Sequence, residues 1–221
     1  MNHYALHLNR QEALALNEAR FSFPGYLKPQ AIDALRDSLV DALTGELDDP
    51  IRSFYRFPLN SLVDYLIRSH ALYTDKLLME LDHTWIQLIK SHKESGLLVL
   101  YSMYREFMTE LIVHFKEEEE RFFPYALAVY GIAERTSLAY PVLGKSSGNE
   151  FLAAHDDPTD PLMEVTEGLE SLFCAQSITC PLSALLLRRM KVLCVDLIIH
   201  GLIEEDVLVL KVIQYERRFQ N

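Results

Sequence analysis

Glycine and proline are scarce in this chain, eight and nine among 221 residues, and long stretches hold neither. Both residues punctuate turns, so their scarcity speaks against a strand-rich fold and favours helices. Basic residues are also few: 21 against 32 acidic ones, for a formal net charge of −11. No basic patch is present to neutralise phosphates, so neither a nucleic acid nor an anionic membrane surface is expected as a partner. Uninterrupted apolar runs are missing too. Arg10, Glu12, Glu18 and Arg20 break up the first twenty residues, so no apolar run of signal-peptide length stands there and no signal peptide is expected. The most apolar region, Leu182 to Ile213, is interrupted by Arg188, Arg189, Lys191, Asp196, Glu204, Glu205 and Asp206 and cannot span a bilayer. Cysteine is limited to Cys174, Cys180 and Cys194, an odd number without a CxxC pair. They are expected to be buried, reduced thiols of a cytoplasmic protein.

What remains is an apolar fraction of 49%, enough for one sizeable core in a globular chain. Residues 1–56 read as an irregular start with two short helices. Pro29 stands where a first-turn proline belongs, before the amphipathic AIDALRDSLVDAL, and Asp48, Asp49 and Pro50 break that pattern. No chemistry is visible in this segment. Residues 57–221 hold four longer helical segments. The first, about 59–94, carries Leu62, Leu66, Tyr73, Leu77 and Leu81 on related faces. The second, about 97–130, carries Leu100, Tyr104, Phe107, Leu111, Phe115 and Phe122. After a connection containing Pro141, Gly144 and Gly148, the third runs over about 149–175 and is disturbed by Pro158 and Pro161. The fourth, about 181–218, starts with Pro181 at its first position. The expected fold is all-α: an antiparallel four-helix bundle with a short helical N-terminal segment.

Chemistry is concentrated in two places. In HFKEEEERFFP, His114 and Glu118 are four residues apart, so they share a helix face with the apolar Leu111. Glu117, Glu119 and Glu120 are then expected on a solvated face. HGLIE repeats the spacing with His200 and Glu204, and Ile203 leaves Glu204 as the one acid able to join the histidine. His70 and His155 stand on the two remaining helices, so each segment offers one histidine. Carboxylates and imidazoles converging in a bundle core are tolerable if they coordinate metal, because an isolated buried carboxylate costs several kcal/mol. Four histidines and two carboxylates suit two first-row transition ions, with the carboxylates able to bridge. His83, thirteen positions from His70, points to the opposite side of its helix, and His92 lies about 33 Å along the axis. His3 and His7 are expected at the surface. A ferritin-like centre needs two Glu-x-x-His motifs, and this chain has one, Glu80 to His83.

HFKEEEERFFP and HGLIEED resemble the two His-x-x-x-Glu helices of hemerythrin-like (HHE cation-binding) proteins. The branch they look closest to is that of the repair-of-iron-centres di-iron proteins. Phe123-Pro124 after Glu118, the single histidine of the first bundle helix and the HDD at His155 fit as well. The resemblance covers about residues 59–215. It implies two non-haem irons, with nitrogens from His70, His114, His155 and His200 and bridges from Glu118 and Glu204. It also implies a role in nitrosative or oxidative stress or iron–sulfur cluster repair, with O2 or NO as ligand and an iron–sulfur protein as partner. The chain departs from that branch in having no cysteine before Cys174, in the prolines after His155 and in VLVLKVI following Glu204. Two other readings compete: a module that senses O2, NO or iron and signals to a regulatory partner, and a structural bundle without metal.

Overall fold

The computed structural model describes residues 7–25, 29–45, 51–134, 147–154 and 159–220, and these are helical without a single strand. Helix α1 is Arg10–Phe21, α2 is Pro29–Thr44, and a 3-10 turn follows at Arg52–Arg56. Helix α3 comprises Leu59–Leu72, a π-helical turn at Tyr73–Leu77 and Leu78–Ser91. Helix α4 comprises Ser95–Glu117, a π turn at Glu118–Phe122 and Phe123–Ala133. Helix α5 is Gly148–Ala154 and α6 is Thr159–Ala175. Helix α7 comprises Pro181–Leu202, a π turn at Ile203–Val209 and Leu210–Gln220.

The ends of these helices follow from local chemistry. Asn9 caps α1 by accepting from the Glu12 amide at 3.0 Å, and Glu12 returns the bond to the Asn9 amide at 3.2 Å. Gly45, at a φ of +66°, closes α2 in the left-handed conformation that costs glycine nothing. Proline opens α2 and α7, where a missing amide hydrogen is no loss. Helix α6 begins at Thr159 and takes Pro161 into its first turn.

The long helices pack edge to edge. The first half of α3 lies against the end of α4 and its second half against the beginning, so the two run antiparallel. Helix α7 meets α3 in the same inverted sense, and α6 fills the space between α4 and α7. Helices α1 and α2 pair with each other and cover the starts of α3 and part of α7. Their buried Leu16, Leu35, Leu39 and Leu43 share one apolar cluster with Leu62 and Leu66 of α3, Phe122 of α4 and Val207 of α7. A second cluster gathers Trp85, Tyr104, Phe107, Phe115, Leu169 and Leu193. Between the two clusters lies a polar layer. The apolar positions read from the sequence supply much of both, although Leu77 and Leu100 are only half-buried.

The three π turns fall beside that layer. A π turn closes i→i+5 bonds and admits one extra residue, a rare arrangement that recurs at functional sites. Here one follows His70, one begins at Glu118 and one contains Glu204. The hydroxyl of Thr74 donates to the His70 carbonyl oxygen at 2.9 Å, tying down the backbone where the first bulge opens.

Candidate metal centre

His70, Glu118, His200 and Glu204 are buried side chains brought together from α3, α4 and α7, with His114 half-buried at their edge. His70 Nε2 stands 3.1 Å from His200 Nε2 and 3.3 Å from Glu118 Oε2. The other Glu118 oxygen, Oε1, is 2.7 Å from His114 Nε2. Glu204 Oε2 is 3.9 Å from His200 Nε2. These atoms form two triads, His70–Glu118–His200 and His114–Glu118–Glu204, each with its donor atoms within 4.8 Å of one another. Glu118 belongs to both. Its two oxygens face different histidines, the arrangement a bridging carboxylate requires.

The donor set fits transition ions. Two imidazole nitrogens on one ion, each about 2.1 Å from it and separated by a right or tetrahedral angle, lie roughly 3.0–3.4 Å apart. The 3.1 Å between His70 and His200 falls in that range. His200 Nδ1 is buried and has no hydrogen-bond partner among the described residues.

Electrostatics separate the two inner histidines. Burial opposes a charge on His70, but hydrogen bonds to Glu118 and Glu119 outweigh it and raise its proton affinity. Burial, followed by repulsion from His70, holds His200 well below the ordinary imidazole range. The ring of His70 stacks on Phe115 with centroids 3.9 Å apart, and Tyr73 presents its ring edge-on to His200 at 5.6 Å.

Of the six residues expected as ligands, five stand together: His70, His114, Glu118, His200 and Glu204. His155, and the break expected beside Pro158, fall outside the described residues. His83 is exposed and contacts Gln87, while Glu80 pairs with Arg189, so the lone Glu-x-x-His motif lies away from the centre. His7 is exposed.

Three expectations need correction. Glu119 does not merely line a solvated face: its Oε1 is 2.8 Å from His70 Nδ1. The widened π turn is the reason, because consecutive side chains there diverge by less than the α-helical angle of about 100°. The N-terminal segment is not without chemistry either. Arg20 of α1 reaches the core and forms an ion pair with Asp196, neither side chain being exposed at all. Arg20 also donates to Asn17 Oδ1 at 2.8 Å and lies over the ring of Tyr65. Asp196 precedes His200 by one helical turn, so an acid within the apolar run VDLIIH was a readable signal. Arg20 had none, since its partner is 176 positions away. Finally, only Cys194 is a buried thiol; Cys180 is half-buried and Cys174 exposed, and none is in a disulfide.

No protein-family model, curated protein or solved structure matches this chain. Among the described residues, no helix is long and apolar enough to cross a membrane.

Proposed function

We propose that this chain is a cytoplasmic, hemerythrin-like protein: an antiparallel four-helix bundle, α3, α4, α6 and α7, that carries two non-haem irons. The observation that carries the reading is Glu118, a buried carboxylate shared by two triads of nitrogen and oxygen donors. His70 and His200 would serve one ion and His114 with Glu204 the other, Glu118 spanning both. His155 would complete the set from the chain between α5 and α6.

Bound iron at such a centre supplies a site for O2 or NO and a store of electrons. The chain's own part is to hold the donors in a water-poor layer. Phe115, Tyr73 and Phe123 pack around His70 and His200, which limits access to small molecules. That suits a role in nitrosative or oxidative stress, with an iron–sulfur protein as the object of repair. The second reading, a sensor of O2, NO or iron that shifts a regulatory partner, uses the same donors and needs no turnover.

Purification without added metal, followed by metal analysis and a visible spectrum, tests the centre. Two irons per chain, reduced by at least half in Glu118→Ala, are expected. Iron-free protein that also fails to take up iron under reducing conditions would remove the proposal. Restoration of a damaged iron–sulfur enzyme by the purified protein separates repair from sensing.

A further inference from the structure

Glu117, Glu119 and Glu120 all stand on the exposed side of α4, yet Glu119 alone turns back toward the buried layer. Its carboxylate is 41% exposed, while the His70 side chain it touches is 2% exposed. The contact is made to Nδ1, the nitrogen that faces away from Glu118 and His200; Nε2 makes both of those approaches. A ring nitrogen that bears hydrogen cannot coordinate an ion, and the hydrogen bond made by one nitrogen decides what the other offers. Histidine ligands commonly hand the distal N–H to a carboxylate, and loss of such a partner weakens metal binding.

We propose that Glu119 is a positioning residue: its carboxylate holds the Nδ1–H of His70 and so fixes the ring with Nε2 turned toward Glu118 and His200. The inference rests on the reading of His70 as a metal ligand. Two further features make the pairing specific. Phe115 stacks on the imidazole at 3.9 Å and 14° and fixes the plane of the ring, but a stacked ring can still flip within its plane. Only a directional partner selects which nitrogen points inward. The π turn at Glu118–Phe122 supplies that partner by letting two consecutive glutamates address opposite nitrogens of one histidine, Glu118 at Nε2 and Glu119 at Nδ1. In an uninterrupted α-helix the two would point about 100° apart.

The test compares Glu119→Ala, Glu119→Gln, Glu117→Ala and Glu120→Ala, all substitutions at exposed positions. Two measurements are made. In metal-free protein labelled with 15N-histidine, the His70 Nδ1–H should give a hydrogen-bonded, slowly exchanging proton signal. It should survive in Glu119→Gln, whose amide oxygen still accepts, and vanish in Glu119→Ala. In zinc titrations, Glu119→Ala should lose about 10- to 100-fold in affinity. Glu117→Ala and Glu120→Ala should match the parent, and Glu119→Gln should fall between. Unchanged zinc affinity in Glu119→Ala, or an Nδ1–H signal indifferent to it, overturns the inference. Failure of the parent protein to bind zinc overturns the metal reading and the ligand role with it. The proton signal then still reports whether Glu119 holds the ring.

Discussion

The guanidinium of Arg20 and the carboxylate of Asp196 meet inside the protein, one from α1 and the other from α7, both with no solvent exposure. Burial opposes the charge on Arg20, and Asp196 more than compensates, so the arginine stays protonated. Breaking a buried pair from one side leaves the other charge stranded, typically at a cost of about 3–5 kcal/mol. Arg20→Ala should therefore destabilise the chain by that amount in urea denaturation. Arg20→Met combined with Asp196→Leu should recover most of it, because an apolar pair of similar volume leaves nothing uncompensated. A double variant no more stable than Arg20→Ala would show that the pair stabilises by more than mutual compensation.

Much of the helical layout was legible because apolar residues repeat at helical spacing, from Leu62 and Leu66 in α3 to Leu111 and Phe115 in α4. The spacing of His114 and Glu118 also translates directly into a 2.7 Å contact. The π turns were not legible. An i→i+5 bond has no residue signature, and its consequence, Glu119 against His70, contradicts the face that ideal helical arithmetic assigns. Arg20 was opaque for a different reason. An arginine is buried only by virtue of its partner, and no local pattern names an aspartate 176 positions away.

The glutamates of α4 should separate sharply in metal binding. Glu118 is 2% exposed and shared by both triads, so Glu118→Ala should reduce iron content by at least half and remove any electronic coupling between two ions. Glu120 sits 3.8 Å from Lys116 in an exposed i,i+4 pair, the kind that contributes about 0.3–0.5 kcal/mol. Glu120→Ala should leave metal content untouched and stability nearly so. Equal iron loss in the two variants, measured by metal analysis of matched preparations, would place the register one face away.

Cys180 offers a pH-dependent signature far from the centre. It caps α7, where its Sγ accepts from the Ser183 amide at 3.4 Å, hydrogen-bonds with the Ser183 hydroxyl and lies 3.6 Å from His92 Nε2, contacts that lower its pKa to about 7. Its thiolate is then favoured at lower pH than that of an ordinary cysteine, whereas burial pushes Cys194 up to about 11. Alkylation by iodoacetamide at pH 7 should label Cys180 well ahead of Cys194 and fall away as pH drops below about 7. The linkage has a definite sign. The pKa is depressed in the folded state, so the thiolate's contribution to stability is complete above the ordinary value of 9.0 and lost as pH falls through about 7. Ser183→Ala should move the alkylation profile to higher pH. A profile identical to the parent's would show that the cap does not set the reactivity.

Loading the centre should stabilise the whole chain, because its donors come from three helices that must be folded for the triads to exist. At a free metal concentration of 100 times Kd, linkage gives about 2.7 kcal/mol. For a chain of this length that corresponds to a rise in Tm of roughly 5–10 °C. The increment should appear with zinc, disappear with a chelator and be absent in Glu118→Ala. It should also shrink on acidification. A metal must displace whatever proton occupies His70 Nε2, and the hydrogen bonds that outweigh burial make that proton harder to remove than from an ordinary imidazole. His200 works in the opposite direction: burial and the nearby His70 keep it neutral, so its nitrogen stays available at lower pH. Competition should therefore begin at His70, and the metal-dependent rise in Tm should decline before any loss of helix is seen by circular dichroism. A rise that is the same at pH 5 and pH 8 would mean that His70 does not bind the ion. No rise at any pH would mean that the buried triads hold none.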